Sequence, residues 1–148
     1  MIWAVCEDLG VDYAKAVVLY QSKFFEDRFP EENQRFHNVE FIDAVQGDRE
    51  ASLLRMREAM FSRMDLEAAV FIGGMEGVVA EYDLFISSHP TAQIVTVPSP
   101  GGAALQLAAR LGVSSEPALQ NVDFAKLFHE ALHIAPNEER AYKGEPGD

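Results

Sequence analysis

Apolar positions in this chain follow two rhythms that alternate along its length. Residues 2–9 (IWAVCEDL) place Ile2, Val5 and Leu9 at helical spacing, and Gly10 closes that stripe. Residues 15–20 (KAVVLY) form a continuous β-branched run, the pattern of a strand covered on both faces. Residues 24–36 are mixed, with Pro30 placed to open a short helix. Residues 39–45 (VEFIDAV) read as a second strand, after which Gly47 and Asp48 turn the chain. Leu53, Met56, Met60 and Met64 then recur at spacings of three and four, one face of a helix that Asp48 is suited to cap.

The second half repeats the scheme. Residues 68–72 (AAVFI) predict a third strand ending on Gly73 and Gly74, and Val78, Tyr82 and Phe85 stripe the helix that follows until Ser88-His89-Pro90 breaks it. Residues 93–97 (QIVTV) predict a fourth strand, followed by the loop PSPGG and a helix marked by Leu105, Ala108 and Leu111. A last helix is expected over residues 122–133. The expectation is an α/β fold, a Rossmann-like and mainly parallel sheet of about four strands flanked by helices. It occupies residues 1–135 as one domain, with 136–148 a polar tail rich in charge, Pro and Gly.

In such a sheet the loops leaving the carboxyl ends of the strands share one edge, where ligands bind. Gly73 and Gly74 lie where a strand gives way to a helix, and Gly101 and Gly102 repeat the arrangement after the next strand. Glycine permits positive φ there and lets backbone N–H groups approach an anion closely. Met75, Glu76 and Gly77 complete the first loop and Ser99 offers a hydroxyl in the second. Tight strand-to-helix turns with no ligand remain the alternative reading of both pairs. The loops fit neither GxGxxG nor GxxxxGK[ST], which argues against an ordinary dinucleotide fold or a P-loop enzyme.

Composition narrows the partners. With 24 acidic and 12 basic residues the formal net charge is -12, which disfavours nucleic acid and anionic lipid. The clustered Arg49, Arg55 and Arg57 therefore stand out as local positive charge, although solvated helix arginines are an equal reading. No apolar run reaches the roughly 18 residues of a membrane helix, and a cytoplasmic protein is expected. The single Cys6 reads as a small core residue. Gln21 and Ser22, after the first strand, and Arg49 and Ser52, at the start of the next helix, are further candidates for ligand contact. Helix capping accounts for Ser22 equally well. His129 and His133 lie four apart on one helix face, with Glu130 between them and no cysteine nearby. They read as surface residues, and neither metal nor cofactor is expected. The phenylalanines and Trp3 read as core.

The segment IGGMEGVVAE resembles the glycine loop of the SLOG superfamily, the Rossmann-like group that includes LOG phosphoribohydrolases, DprA-type proteins and nucleotide-sensing domains. LOG enzymes carry PGGxGTxxE after a buried strand. Here Ile72 replaces the proline, one extra residue separates Gly74 from Gly77, Val78 replaces the threonine, and Glu81 keeps the final spacing. The preceding helix of those enzymes bears an arginine, at the place of Arg57. VVLYQSKFF, GDREASLLRMREAM, VFIGGMEGV and the GGAA loop are similar to segments of bacterial SLOG domains, so the likeness spans residues 17–111.

The resemblance implies binding or sensing of a nucleotide-derived molecule, NAD-derived signals included. Alternatively, it implies a LOG-like nucleoside monophosphate hydrolase in which Arg57 holds phosphate and Glu81 assists cleavage of the N-glycosidic bond. Glu76, inserted in the loop, weighs against the second. Related hydrolases dimerise, which makes a homodimer an expectation here. Domains of this kind also open with a strand, a helix and a strand ending in a loop like GGHP. The present chain opens on what resembles the helix after that loop, so the resemblance implies a domain truncated at its N-terminus.

Overall fold

The computed structural model describes residues 17–113 and 123–133. The expected helix over 2–9, with Trp3 and Cys6, and the polar tail lie outside the described residues. The chain divides into two compact units, Met1–Asp65 and Leu66–Asp148.

In the first unit, β1 (Leu19–Ser22) pairs in parallel with β2 (Val39–Ile42), Leu19 opposite Val39 and Ser22 opposite Ile42. The first strand sits later than its β-branched run suggests, because pairing rather than propensity sets its limits. Its register is fixed where the Leu19 N–H donates to the Asn38 carbonyl at 3.0 Å. Gln21 and Ser22 thus belong to the strand instead of following it. Leu19, Tyr20 and Gln21 are half-buried, so the strand is less covered than the run implied. Two short 3-10 helices, Lys23–Arg28 and Glu31–Arg35, connect β1 to β2, the second opening after Pro30.

Strand β2 ends at Ile42, and the turn around Gly47 (φ 68°) brings Val45 against Asp48. Helix α1 (Arg49–Phe61) begins there, capped by the Asp48 carboxylate, which accepts from the Ala51 N–H at 2.9 Å. The methionine stripe is cut short. Helix α1 stops at Phe61, and Met64 lies beyond it, 94% exposed. The Arg63 guanidinium instead closes the segment on Asp65 with two hydrogen bonds, of 2.9 and 2.6 Å. That contact holds the Asp65 carboxyl below its ordinary range.

In the second unit, β3 (Ala68–Ile72) and β4 (Gln93–Val97) match the sequence expectation and pair in parallel along their whole length. Helix α2 (Gly77–Ser88) connects them and ends at His89. Partners in a parallel register share a face, so Phe71 and Thr96 lie together. The Phe71 ring meets Tyr82 of α2 edge-on at 5.9 Å. Helix α3 (Gly102–Arg110) packs against β4 and α2. The core comprises Phe71, Phe85, Val95 and Val97 with Ala103, Ala104, Leu107 and Ala108. Burial of a side chain such as Leu107 is worth about 1.5–3 kcal/mol.

The face of α3 agrees with the expected one at Ala108, which is fully buried, and departs from it on either side. Leu105 and Leu111 are 41% and 39% exposed, whereas Ala103, Ala104 and Leu107 are buried. Three alanines let the helix approach the strand closely, a need that a search for large apolar residues overlooks. On its outer side, Arg110 pairs with Asp83 at 2.8 Å and stacks over Tyr82 at 5.3 Å, tying α3 to α2. Helix α4 (Phe124–Ala131) is shorter than predicted, and Asp123 caps it by accepting from the Lys126 N–H. His133 lies past its end with φ 53°, so His129 and His133 do not share a helix face. No helix of the described residues is long and apolar enough to cross a membrane.

Candidate functional site

The candidate site in the second unit is built from the two glycine pairs. Gly73 and Gly74 follow β3 with φ of 58° and 79°, and Gly101 and Gly102 precede α3 with φ of 78° and 67°. All four occupy conformations that side chains rarely adopt. The turn of residues 98–101 is closed by the Gly101 N–H donating to the Pro98 carbonyl at 2.8 Å, and Ser99 is exposed on it.

The two pairs touch through their backbones. The first N–H groups of α3 donate into the first turn, Ala103 to the Gly74 carbonyl at 3.0 Å and Ala104 to the Gly73 carbonyl at 2.8 Å. A Cβ on Gly102 would stand 2.5 Å from the Gly74 oxygen, so only glycine permits this approach. A chemical asymmetry follows. The start of α3 spends those two donors on protein carbonyls, while the start of α2 keeps more of its own. Among the described residues, no backbone carbonyl accepts from the N–H groups of Gly74, Met75 or Glu76. With their carbonyls turned to α3, the glycines hold this run of amides ahead of the positive end of α2.

Met75 is 85% exposed and Glu76 is exposed, with no side-chain cap on the helix. The Glu76 carboxylate is thus on the solvent side of the turn, its backbone already helical at φ -47°. Gly77 is the first residue of α2, and Glu81 is half-buried on the same helix.

The first unit holds the remaining candidates. Arg57 lies on α1 with only 9% of its surface exposed. Arg49 is exposed, paired with Glu50 and 6.0 Å from the Phe25 ring. Ser52 is fully buried. Its hydroxyl donates to the Asp48 carbonyl at 2.6 Å and accepts from the Val45 N–H at 2.9 Å. These bonds use its proton to fasten the turn to α1, which makes Ser52 a latch and leaves no proton for a ligand. Ser22 is likewise buried, and its hydroxyl accepts from the Phe24 N–H at 3.3 Å. Gln21 borders a cleft of about 450 Å³ confined to this unit. Sequence reading missed that cleft because it assigned the phenylalanines to the core, whereas Phe41 is 51% exposed. The alternation Val39, Phe41 in β2 was the available signal.

A family model described as the SLOG cluster3 family matches residues 1–132. No curated protein and no solved structure matches the chain.

Proposed function

The chain belongs to the SLOG cluster3 family, and we propose that it binds a nucleotide-derived small molecule, NAD-derived signals included, through the turn after β3. The observation that carries this reading is the run of N–H groups from Gly74 to Glu76, held at the start of α2 by the contact between the two glycine pairs. A phosphate placed there receives charge-assisted hydrogen bonds and the field of the helix terminus. Ser99, on the neighbouring turn, adds a hydroxyl donor. The net charge of -12 favours an anion small enough to be held by local donors over a long phosphate backbone.

Thermal shift and free-base release, followed together with AMP and adenosine, test this. AMP should stabilise the protein more than adenosine does, without releasing adenine. Gly74→Val should abolish the difference, since its Cβ would fall 2.3 Å from Val78 Cγ2 at a φ of 79°. Base release that vanishes in Glu81→Gln would instead favour a LOG-like phosphoribohydrolase in which Glu81 assists cleavage. Equal stabilisation by AMP and adenosine would remove the phosphate from the account.

A further inference from the structure

The cleft of the first unit has a chemistry unlike that of the glycine turn. Its volume of about 450 Å³ is that of a small-molecule pocket. Phe29 and Phe41 stack on each other in its wall, centroids 5.8 Å apart and tilted by 31°. That is the spacing of direct contact, so no third ring fits between them and the pair forms one platform. Phe41, half exposed, presents the free surface of that platform.

Neutral amides supply much of the polar wall, from Gln21 on β1 and from Asn33 and Gln34 of the second 3-10 helix, beside the imidazole of His37. Among the described lining residues there is no lysine or arginine, and the carboxylate present is that of Glu26. Gln21 Oε1 is shut off from solvent with no donor among the described residues. An acceptor left in that state costs the folded protein its hydration without return. A donor brought into the cleft, met by a turn of the Gln21 side chain, removes that cost.

We infer that this cleft binds a flat, uncharged or cationic heteroaromatic ring bearing N–H donors, stacked on Phe41 and donating to the Gln21 carbonyl. With His37 and Glu26 both in the wall and no lysine or arginine among the described lining residues, the cleft lacks the fixed positive charge that a phosphate calls for. The inference does not rest on the glycine-turn reading, because the cleft and its residues belong to the first unit alone.

The test titrates the full chain with 9-methyladenine and 9-methylpurine, which differ only in the exocyclic amine, using ligand-observed NMR. The amine-bearing ring should bind with a Kd of ~1 mM or tighter, and the purine about five-fold more weakly. Gln21→Leu should bring the two rings to equal affinity. Phe41→Ala, at a half-exposed position of β2 and with its circular dichroism matched to the native protein, should weaken both by about ten-fold. Inorganic phosphate should displace neither. Equal binding of the two rings by the unaltered protein would overturn the inference, as would no saturable binding of 9-methyladenine or indifference to Phe41→Ala.

Discussion

Gly102→Ala should damage the second unit far more than one added methyl suggests, and the reason lies in two separable terms. The first is conformational. A φ of 67° in a residue with a Cβ costs roughly 1–2 kcal/mol. The second is steric, because the new Cβ would meet the Gly74 carbonyl oxygen at 2.5 Å and the Gly73 carbonyl carbon at 3.2 Å. Neither neighbour is a flexible side-chain end, so the two turns must part. Parting them breaks the bonds from Ala103 to Gly74 and from Ala104 to Gly73, each worth about 0.5–1.5 kcal/mol net. The expected total is about 2–5 kcal/mol.

Gly112→Ala supplies the comparison, since its φ is 75° but nothing lies within 4 Å of the added carbon. It should lose only the conformational term, about 1–2 kcal/mol. Urea unfolding followed by circular dichroism gives both values. Hydrogen exchange of the Ala103 and Ala104 amides locates the difference, and only Gly102→Ala should lose their protection. Equal destabilisation by the two substitutions, with both amides still protected, would refute the backbone contact between the glycine pairs.

Leu107→Ala should cost about 2–5 kcal/mol and Leu105→Ala less than about 0.5 kcal/mol, because Leu107 is fully buried and Leu105 is not. Reversed costs in urea unfolding would restore the face read from the sequence. Ser52→Ala should destabilise by about 1–3 kcal/mol by removing the acceptor of the Val45 N–H and the donor to Asp48, and a neutral result would deny the latch. The Asp65 carboxyl is held below its ordinary range by Arg63, so its stabilisation is present above the unfolded pKa of about 3.9 and lost as pH falls through the lower folded value. The Tm gap between the native protein and Asp65→Asn should accordingly be steady near neutrality and close below about pH 4; a gap that widens in acid would contradict the assignment.

The parts of the fold legible in the sequence were those where one local signal decides the outcome. Strands β3 and β4 were bounded correctly because each is a short run rich in apolar residues stopped by glycine or proline. Helix α2 ended where Ser88, His89 and Pro90 said it would. Strand β1 was misplaced because its limits depend on β2, and a propensity run holds no information about a partner's register. The buried face of α3 was read correctly only at Ala108; Ala103 and Ala104 were missed because the burial of such small residues is a property of the strand they approach. Of the candidate site, the two glycine pairs were foreseeable from their position after successive strands. Which amides they free was not, since that depends on how the Gly73 and Gly74 peptide planes turn toward α3. Ser52 looked like a ligand donor because residue type alone cannot distinguish a hydroxyl facing a ligand from one spent on the backbone, whereas Ser22 takes the capping role that its position also suggested.

Amide NMR on titration with AMP reads out whether an anionic group is held by the amides of Gly74, Met75 and Glu76. Those three N–H resonances should shift saturably with AMP, less with adenosine, and not at all in Gly74→Val. Saturable AMP binding that leaves all three amides unmoved would contradict that placement of the anion.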